Sequence, residues 1–317
     1  MNHITFELTN KCDLKCSMCD IWREKDRTSL SISDIEKSFR LLKPPYSVAL
    51  TGGEPLLNPD FENIYKKLFL DYLKKKVVNI DISTNATTDK ICNFIKKHKK
   101  FLGPLSLSIS LDGLAKSHDA QRGVAGAFMK TLKNIQILKR YGIPISIKFT
   151  ITPNNYNDVS NVYLISKKLG CEFLVKLAEK NPNYYNRSNS AKNFSFIKLS
   201  ACTKERLKNK LSEILKLEKK QKYNKNYLTE FAIEALLRFL ETGKLDFIKS
   251  CVIPGKCVFI TSFGKIYPCL YYKSVGDIKR GTFDAVKSKD IISKAKKGKC
   301  RKCLAFHGYL NELNLKQ

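Results

Sequence analysis

The sequence predicts an α/β chain in which six strands, each followed by a helix, form one parallel sheet curled around a polar lumen, with a small cysteine-rich module after it. Three observations carry this expectation. Strand and helix patterns alternate from residue 4 to residue 178, the strands themselves alternate polar and apolar side chains, and most of the eleven cysteines fall in two groups at the ends of the chain.

The expected strands are residues 4–9, 47–51, 77–83, 105–111, 145–151 and 173–178. Between them run helical stripes. Phe61, Ile64, Tyr65 and Leu68 mark one over residues 59–74, and Phe128, Leu132, Ile135 and Leu138 mark another over 127–140. Shorter stripes at 91–95 and 159–169 complete the series.

A parallel strand buried on both faces reads as a nearly continuous apolar run. These strands do not. Thr5, Glu7 and Thr9 alternate with Phe6 and Leu8; Ser106, Ser108 and Ser110 alternate with Leu107 and Ile109; Ser146, Lys148 and Thr150 alternate with Ile147 and Phe149. A period of two puts the apolar residues on one face, against the helices, and the polar ones on the other, lining a cavity. Charges pointing into that cavity are expensive unless paired or used. Glu7, Asp81 and Lys148 are therefore expected as a Glu7–Lys148 or Asp81–Lys148 ion pair, or as contacts to a cofactor or substrate.

After residue 178 the alternation stops. Residues 181–196, rich in Asn, Tyr and Ser, read as a loop. Two helical stretches follow at 204–219 and 228–240, and then the cysteine-rich tail. The expected division is a barrel over 1–200, a helical connector over 201–249 and a cysteine-rich module over 250–317.

No stretch of the 317 residues is long and apolar enough for a membrane span, and the first dozen residues lack the pattern of a signal peptide. The expected location is the cytoplasm, where thiols stay reduced and grouped cysteines point to metal rather than disulfides. The isolated Cys92, Cys171 and Cys202 read as structural. The 58 Lys and Arg against 29 Asp and Glu leave a net charge of +29, a field that attracts anionic partners, nucleic acid included. The same lysines also read as a compositional bias spread over many helices.

Cys12, Cys16 and Cys19 follow the first strand directly. Three thiolates at this spacing reach three corners of one cubane cluster from a single loop. With no fourth cysteine nearby, one iron is left open to a small molecule. Structural zinc takes four ligands, and the local set stops at three. Thr51-Gly52-Gly53-Glu54-Pro55 follows the second strand; its glycines admit a close backbone approach, and the Glu54 carboxylate can accept from an ammonium.

On these residues the chain resembles the radical SAM superfamily, whose signature is CxxxCxxC after the first strand. The resemblance spans about the first 180 residues. It implies a partial (β/α)6 TIM-like barrel and a catalytic [4Fe–4S] cluster on Cys12, Cys16 and Cys19 whose open iron binds S-adenosylmethionine. It further implies reductive cleavage to a 5′-deoxyadenosyl radical that abstracts hydrogen from substrate. Gly52, Gly53 and Glu54 correspond to the element that contacts the SAM amino group. Ser83 and Asn85, with Ser110 and Asp112, correspond to positions near its ribose or carboxylate. The stretch from His118 to Gly123 resembles a recurring family segment, with Arg122 read as structural.

Cys251, Cys257, Cys269, Cys300 and Cys303 are similar to the SPASM/twitch modules of these enzymes, which hold an auxiliary [4Fe–4S] cluster. The chain shows no further cysteines after Cys303, as the shorter twitch form would have it. Five cysteines compete for four places, with Cys251 and Cys257 sharing one; zinc suits such spaced pairs as well. Where the sulfatase-maturing branch carries Asp after the cysteine of its GxxxxC element, this chain has Leu270, which speaks against that activity. The implied partners are an external one-electron donor of flavodoxin or ferredoxin type and a peptide or cofactor-precursor substrate, an anionic one included. The competing class is a non-catalytic zinc or iron–sulfur protein that binds nucleic acid through its charge. It leaves the three-cysteine loop followed by Gly52-Gly53-Glu54 without a purpose.

Overall fold

The computed structural model describes residues 2–41, 43–187, 194–220, 227–244, 251 and 253–297. Six parallel strands form its centre: β1 (Asn2–Thr9), β2 (Tyr46–Gly52), β3 (Val77–Thr84), β4 (Leu105–Ser110), β5 (Ile145–Ile151) and β6 (Glu172–Leu177), paired in sequence order. Helices α1 (Ile32–Ser38), α2 (Phe61–Leu73), α3 (Lys90–Lys97), α4 (Ala115–Arg122), α5 (Ala127–Lys139) and α6 (Val159–Lys168) fill the crossovers. The expected alternation is present, and the strand limits agree within a residue or two. Residues 181–196 differ from a plain loop. β7 (Glu179–Lys180) and β8 (Ser195–Phe196) pair as a short ribbon, and residues 181–187 are tightly turned.

The two faces of the sheet behave as their alternation demands. Phe6, Val48, Ile82, Ile109, Ile147 and Val175 are buried in the core with the helices. Thr5, Ser47, Ser83, Ser110, Lys148 and Lys176, on the other face, keep part of their surface open. Helix α2 meets α3 through edge-on rings, Phe61 and Tyr65 each 5.0 Å from Phe94. The Tyr65 hydroxyl donates to Phe101 O at 2.6 Å, so its burial leaves no polar group stranded.

Two longer helices, α7 (Ala201–Lys220) and α8 (Tyr227–Thr242), cover the β6 side, where Thr229 donates to Phe173 O at 2.6 Å. The C-terminal part then returns to the opposite edge through α9 (Ile253–Lys256), β9 (Cys257–Ile260), β10 (Lys265–Tyr267), β11 (Gly276–Asp277), β12 (Thr282–Phe283) and α10 (Ala285–Lys296). β9 runs parallel to β1, pairing His3 with Cys257 and Phe6 with Ile260. Among the described residues the sheet has ten strands, and the strand that begins at Cys257 lies beside the one that precedes the first cysteine loop. Among the described residues no helix is long and apolar enough to cross a membrane.

Candidate functional site: the first cysteine loop

The loop after β1 is fixed before its first cysteine. Asn10 is fully buried; its amide donates to Glu24 Oε2 at 2.7 Å and Asp26 O at 2.6 Å, and its carbonyl accepts from Thr28 N at 2.8 Å. The loop is then held from three sides. From β2, Gly53 N donates to Thr9 O and Glu54 N to Lys11 O, both at 2.8 Å. From the end of α4, Arg122 O and Gln121 O accept from Lys15 N at 3.2 Å and Ser17 N at 2.9 Å. From the 181–187 segment, Tyr185 O accepts from Asp20 N at 2.8 Å.

The glycines explain how closely these parts approach. A Cβ on Gly53 would sit 2.3 Å from Lys11 O and 2.8 Å from Cys12 Cβ, and one on Gly52 2.4 Å from Thr9 O. Gly123, at φ 69°, ends α4 in the left-handed region, and a Cβ there would meet Lys15 O at 2.5 Å. Only backbone without a side chain fits against the cysteine loop at these points.

Glu54 is 2% exposed. Its carboxylate accepts from Thr84 Oγ1 at 2.9 and 3.0 Å and from Asn85 N at 2.9 Å. Burial pushes its pKa up to about 7, against the hydrogen bond from Asn85. The Asn85 amide donates to Asp13 Oδ1 at 2.8 Å, inside the cysteine loop. Gly52, Gly53, Glu54 and Asn85 thus converge on the loop that carries Cys12. Thr84 was not among the expected residues: an ordinary threonine ending a strand carries no sequence mark of its role.

Asp112 is placed differently from a residue open to a cofactor. It is fully buried, accepts from Thr150 N at 2.7 Å and is ion-paired with Arg122. Arg122 donates its other nitrogen to Cys16 Sγ at 3.7 Å. Asp112 therefore reaches the cysteine loop through Arg122. Ser83 accepts from Lys148 Nζ at 3.3 Å, and Ser110 stands opposite Lys148 in the β4–β5 register.

Lys148 forms neither of the expected ion pairs. Glu7 is taken by Arg187 and Glu24 stands beside them (Arg187 Nη2–Glu7 Oε1 2.6 Å, Arg187 Nε–Glu24 Oε1 2.8 Å). Asp81 accepts from Ser106 and Ser108 hydroxyls, each at 3.1 Å. A dedicated guanidinium from across the chain pairs with Glu7 at closer range than a lysine four strands away could.

Burial pushes all three loop thiols up, Cys19 to about 12, and each of Cys12 and Cys19 feels Cys16. The thiols are neighbours, although among the described residues no three His, Cys, Asp or Glu side chains already converge on one point as a metal cage. Their donor set suits a cationic iron–sulfur cluster: three sulfurs from one loop, whose buried thiols need a bound cation to ionise. The side-chain-free Gly52–Gly53 surface against Cys12 and the guanidinium aimed at Cys16 are consistent with that fit.

In the C-terminal region Cys251 and Cys257 feel one another, and burial pushes Cys257 up to about 12. The β9–β10 register pairs Tyr267 with Phe259, and β10 ends two residues before Cys269. Cys300 and Cys303 lie outside the described residues. Cys92 and Cys171 are buried, Cys92 donating to Asn134 Oδ1 at 3.4 Å. Cys202, expected to be structural, is exposed on the first turn of α7.

The two cysteine regions are joined by the 181–187 segment. Asn183 donates to Leu270 O at 2.6 Å and Tyr272 O at 2.9 Å, just past Cys269. Asn186 donates to Asp20 Oδ2 at 2.9 Å, next to Cys19, and Tyr184 donates to Gly52 O at 3.1 Å.

Comparison with known proteins bears on both regions. Residues 6–163 match the model of the radical SAM superfamily, and residues 251–304 that of the SPASM iron–sulfur cluster-binding domain; together these span more than half of the chain. The chain is 24% identical to the antilisterial bacteriocin subtilosin biosynthesis protein AlbA of Bacillus subtilis, over 92% of this chain but only 60% of AlbA's own length. It is 25% identical to the AdoMet-dependent heme synthase of Methanosarcina barkeri, over 95% of this chain and 87% of that protein. The solved structure of native anSMEcpe with bound AdoMet and a peptide superposes with a TM-score of 0.64 at 18% identity, covering 92% of this chain and 82% of that one. At that identity the likeness speaks for the fold, a partial barrel with a C-terminal cysteine module.

Proposed function

Because the chain belongs to the radical SAM superfamily and carries a C-terminal iron–sulfur cluster-binding domain, we propose that it reductively cleaves S-adenosylmethionine at Cys12, Cys16 and Cys19 and abstracts hydrogen from a peptide or cofactor precursor. The observation that carries this reading is the convergence on one loop of the Gly52–Gly53–Glu54 turn, placed against Cys12, and of Arg122, which donates to Cys16.

When bound there, a [4Fe–4S] cluster supplies the electron that splits the C–S bond of SAM, on delivery from an external donor of flavodoxin or ferredoxin type. The chain's own residues bind and orient. Glu54 keeps lone pairs free beside its bonds from Thr84 and Asn85 and accepts from the SAM ammonium. Asn85, Ser83 and Ser110 would meet the remaining polar groups of SAM, while Asp112 holds Arg122 on Cys16.

Residues 250–317 hold a second cluster through Cys269, Cys300, Cys303 and one of Cys251 and Cys257, and residues 1–200 and 201–249 form the barrel and its connector. The substrate classes follow the relatives, one acting in bacteriocin biosynthesis and one named a heme synthase. A zinc protein that binds nucleic acid leaves the Gly53–Cys12 and Arg122–Cys16 approaches unused.

Iron counting tests the proposal. Anaerobically reconstituted protein should hold about eight irons per chain, and the triple change of Cys12, Cys16 and Cys19 to Ala about four, with no SAM cleavage. Zinc in the C-terminal site after anaerobic preparation would overturn the second cluster. Full iron in the triple variant would overturn the first.

A further inference from the structure

The polar lumen contains two lysines that the cluster chemistry does not use. Lys148 and Lys176 project from β5 and β6 on the inner face, and each is half-buried: enclosed by strands, yet in contact with open space. In register Lys176 stands opposite Thr150, one inward position along from Lys148. The two ammonium groups are close enough for Lys176 to depress the pKa of Lys148.

Their partners are neutral. Lys148 Nζ donates to Ser83 Oγ at 3.3 Å, and Lys176 Nζ donates to Tyr185 Oη at 2.9 Å while lying 4.6 Å from the Tyr185 ring centroid. An ammonium has three donors, so each lysine keeps donors to spare. Among the described residues no carboxylate forms an ion pair with either lysine, although Asp81 attracts Lys148 and Glu179 and Asp112 attract Lys176. Asp81, nearest Lys148, accepts from Ser106 and Ser108; Glu179 accepts from Tyr271 at 2.8 Å; Asp112 is ion-paired with Arg122; Glu7 is held by Arg187. His3, which also feels Lys148, is pushed down to about 4 by burial and is neutral near pH 7. Burial, outweighing the attraction of Asp81 and reinforced by Lys176, holds Lys148 below the usual lysine range. An anion between the two lysines offsets the burial of Lys148 and its repulsion from Lys176, whose own pKa is raised despite burial by Tyr185, Glu179 and Asp112.

We propose that Lys148 and Lys176 form a binding site for a carboxylate of the substrate, which sets it in the barrel beneath the first cysteine loop. This rests on the reading of the lumen as the substrate chamber, and it adds the substrate class: a molecule carrying a carboxylate, from an acidic peptide or from a carboxylated cofactor precursor. Ser83 bridges the two ends of the chamber. It accepts from Lys148, and it ends the same strand as Thr84, which holds Glu54.

The test uses the reconstituted full chain with SAM bound. Glutarate, an oligoglutamate peptide and coproporphyrin are titrated by ligand-observed NMR, with glutaramide as the neutral control. At least one carboxylate probe should bind, and glutaramide should not. Lys148→Met and Lys176→Met should each weaken that probe by about tenfold, and Lys148→Arg should retain most of the binding. Preference for the peptide or for the porphyrin identifies the source of the carboxylate. SAM affinity, measured in parallel, should change less than twofold in all variants. Equal binding of the probes by wild type and both Met variants overturns the proposal, as does binding of none by wild type. A loss of SAM affinity in Lys148→Met also overturns it, since the lysine then serves the cofactor. Carboxylate binding is read without turnover, so its failure is separable from a failure to cleave SAM.

Discussion

Arg187 grips both carboxylate oxygens of Glu7, at 2.8 and 2.6 Å, across 180 residues of chain. Glu7 is fully buried on β1 and also accepts from Ser262 N at 3.0 Å, at the tip of the C-terminal hairpin. Arg187 reaches on to Glu24 at 2.8 Å and lies 5.2 Å from the centroid of the Phe263 ring. One guanidinium therefore ties the first strand, the segment after the first cysteines and the second cysteine region. Removing it strands a buried carboxylate, so Arg187→Met should cost about 3–5 kcal/mol in urea unfolding. Adding Glu7→Gln should return a large part of that loss. A double variant as unstable as the single one would contradict the assignment.

The Gly53 position should be intolerant of any side chain. A Cβ 2.3 Å from Lys11 O and 2.8 Å from Cys12 Cβ has only backbone and a ligand residue to displace. Gly53→Ala should shift the loop and lower SAM cleavage about a hundredfold, the scale expected of an ångström-sized displacement at a reacting centre. Iron bound by the C-terminal region should persist. Gly142→Ala, where no atom lies within 4 Å of the added Cβ, separates crowding from the conformational strain that a positive φ imposes. It should leave SAM cleavage within about twofold of wild type, as expected of a change whose strain is paid in stability.

His118 gives the fold a pH dependence. It has no exposed surface, its Nδ1 accepts from Asp112 N at 2.9 Å, and burial, with Arg122 beside it, lowers its pKa to about 4. A depressed histidine is neutral in the folded chain while the unfolded one protonates near pH 6.5. Its contribution is present above about pH 6.5 and is lost as pH falls toward 4. Between pH 7 and pH 5 the loss should be about 2 kcal/mol. In His118→Asn, urea midpoints should fall less over that interval; an identical slope would remove His118 as the cause.

Asn183 should matter for the second cysteine region more than for the barrel. Its amide satisfies the carbonyls of Leu270 and Tyr272, and its loss should cost about 1–3 kcal/mol. Hydrogen exchange in Asn183→Ala should accelerate over residues 265–277 and stay slow in β2–β4. Uniform acceleration would show that the segment supports the whole fold instead.

The barrel was legible in the sequence because period-two alternation states which side chains point inward, and Ser83, Ser110 and Lys148 do so. The first cysteine loop and Gly52–Gly53–Glu54 were legible because their chemistry resides in adjacent residues. What stayed hidden is long-range. Arg187 sits in a stretch that reads as polar loop, and nothing local marks it as the partner of Glu7. The attachment of Cys257 beside His3 closes a sheet across more than 250 residues, a pairing that a four-residue strand does not announce. Asp112 read as a site residue from its strand end, whereas its burial and its pair with Arg122 appear only once α4 is folded back onto β4.

The central claim is that the loop from Cys12 to Cys19 carries out SAM cleavage, and its most direct test is the release of 5′-deoxyadenosine from SAM by the reconstituted protein with dithionite. Wild type should release it. Cys16→Ala, which removes the sulfur that Arg122 addresses, should reduce release at least a hundredfold, as expected for loss of a cluster ligand, while retaining the C-terminal iron. Release by Cys16→Ala at the wild-type rate, or none from wild type carrying its full complement of iron, would contradict the account.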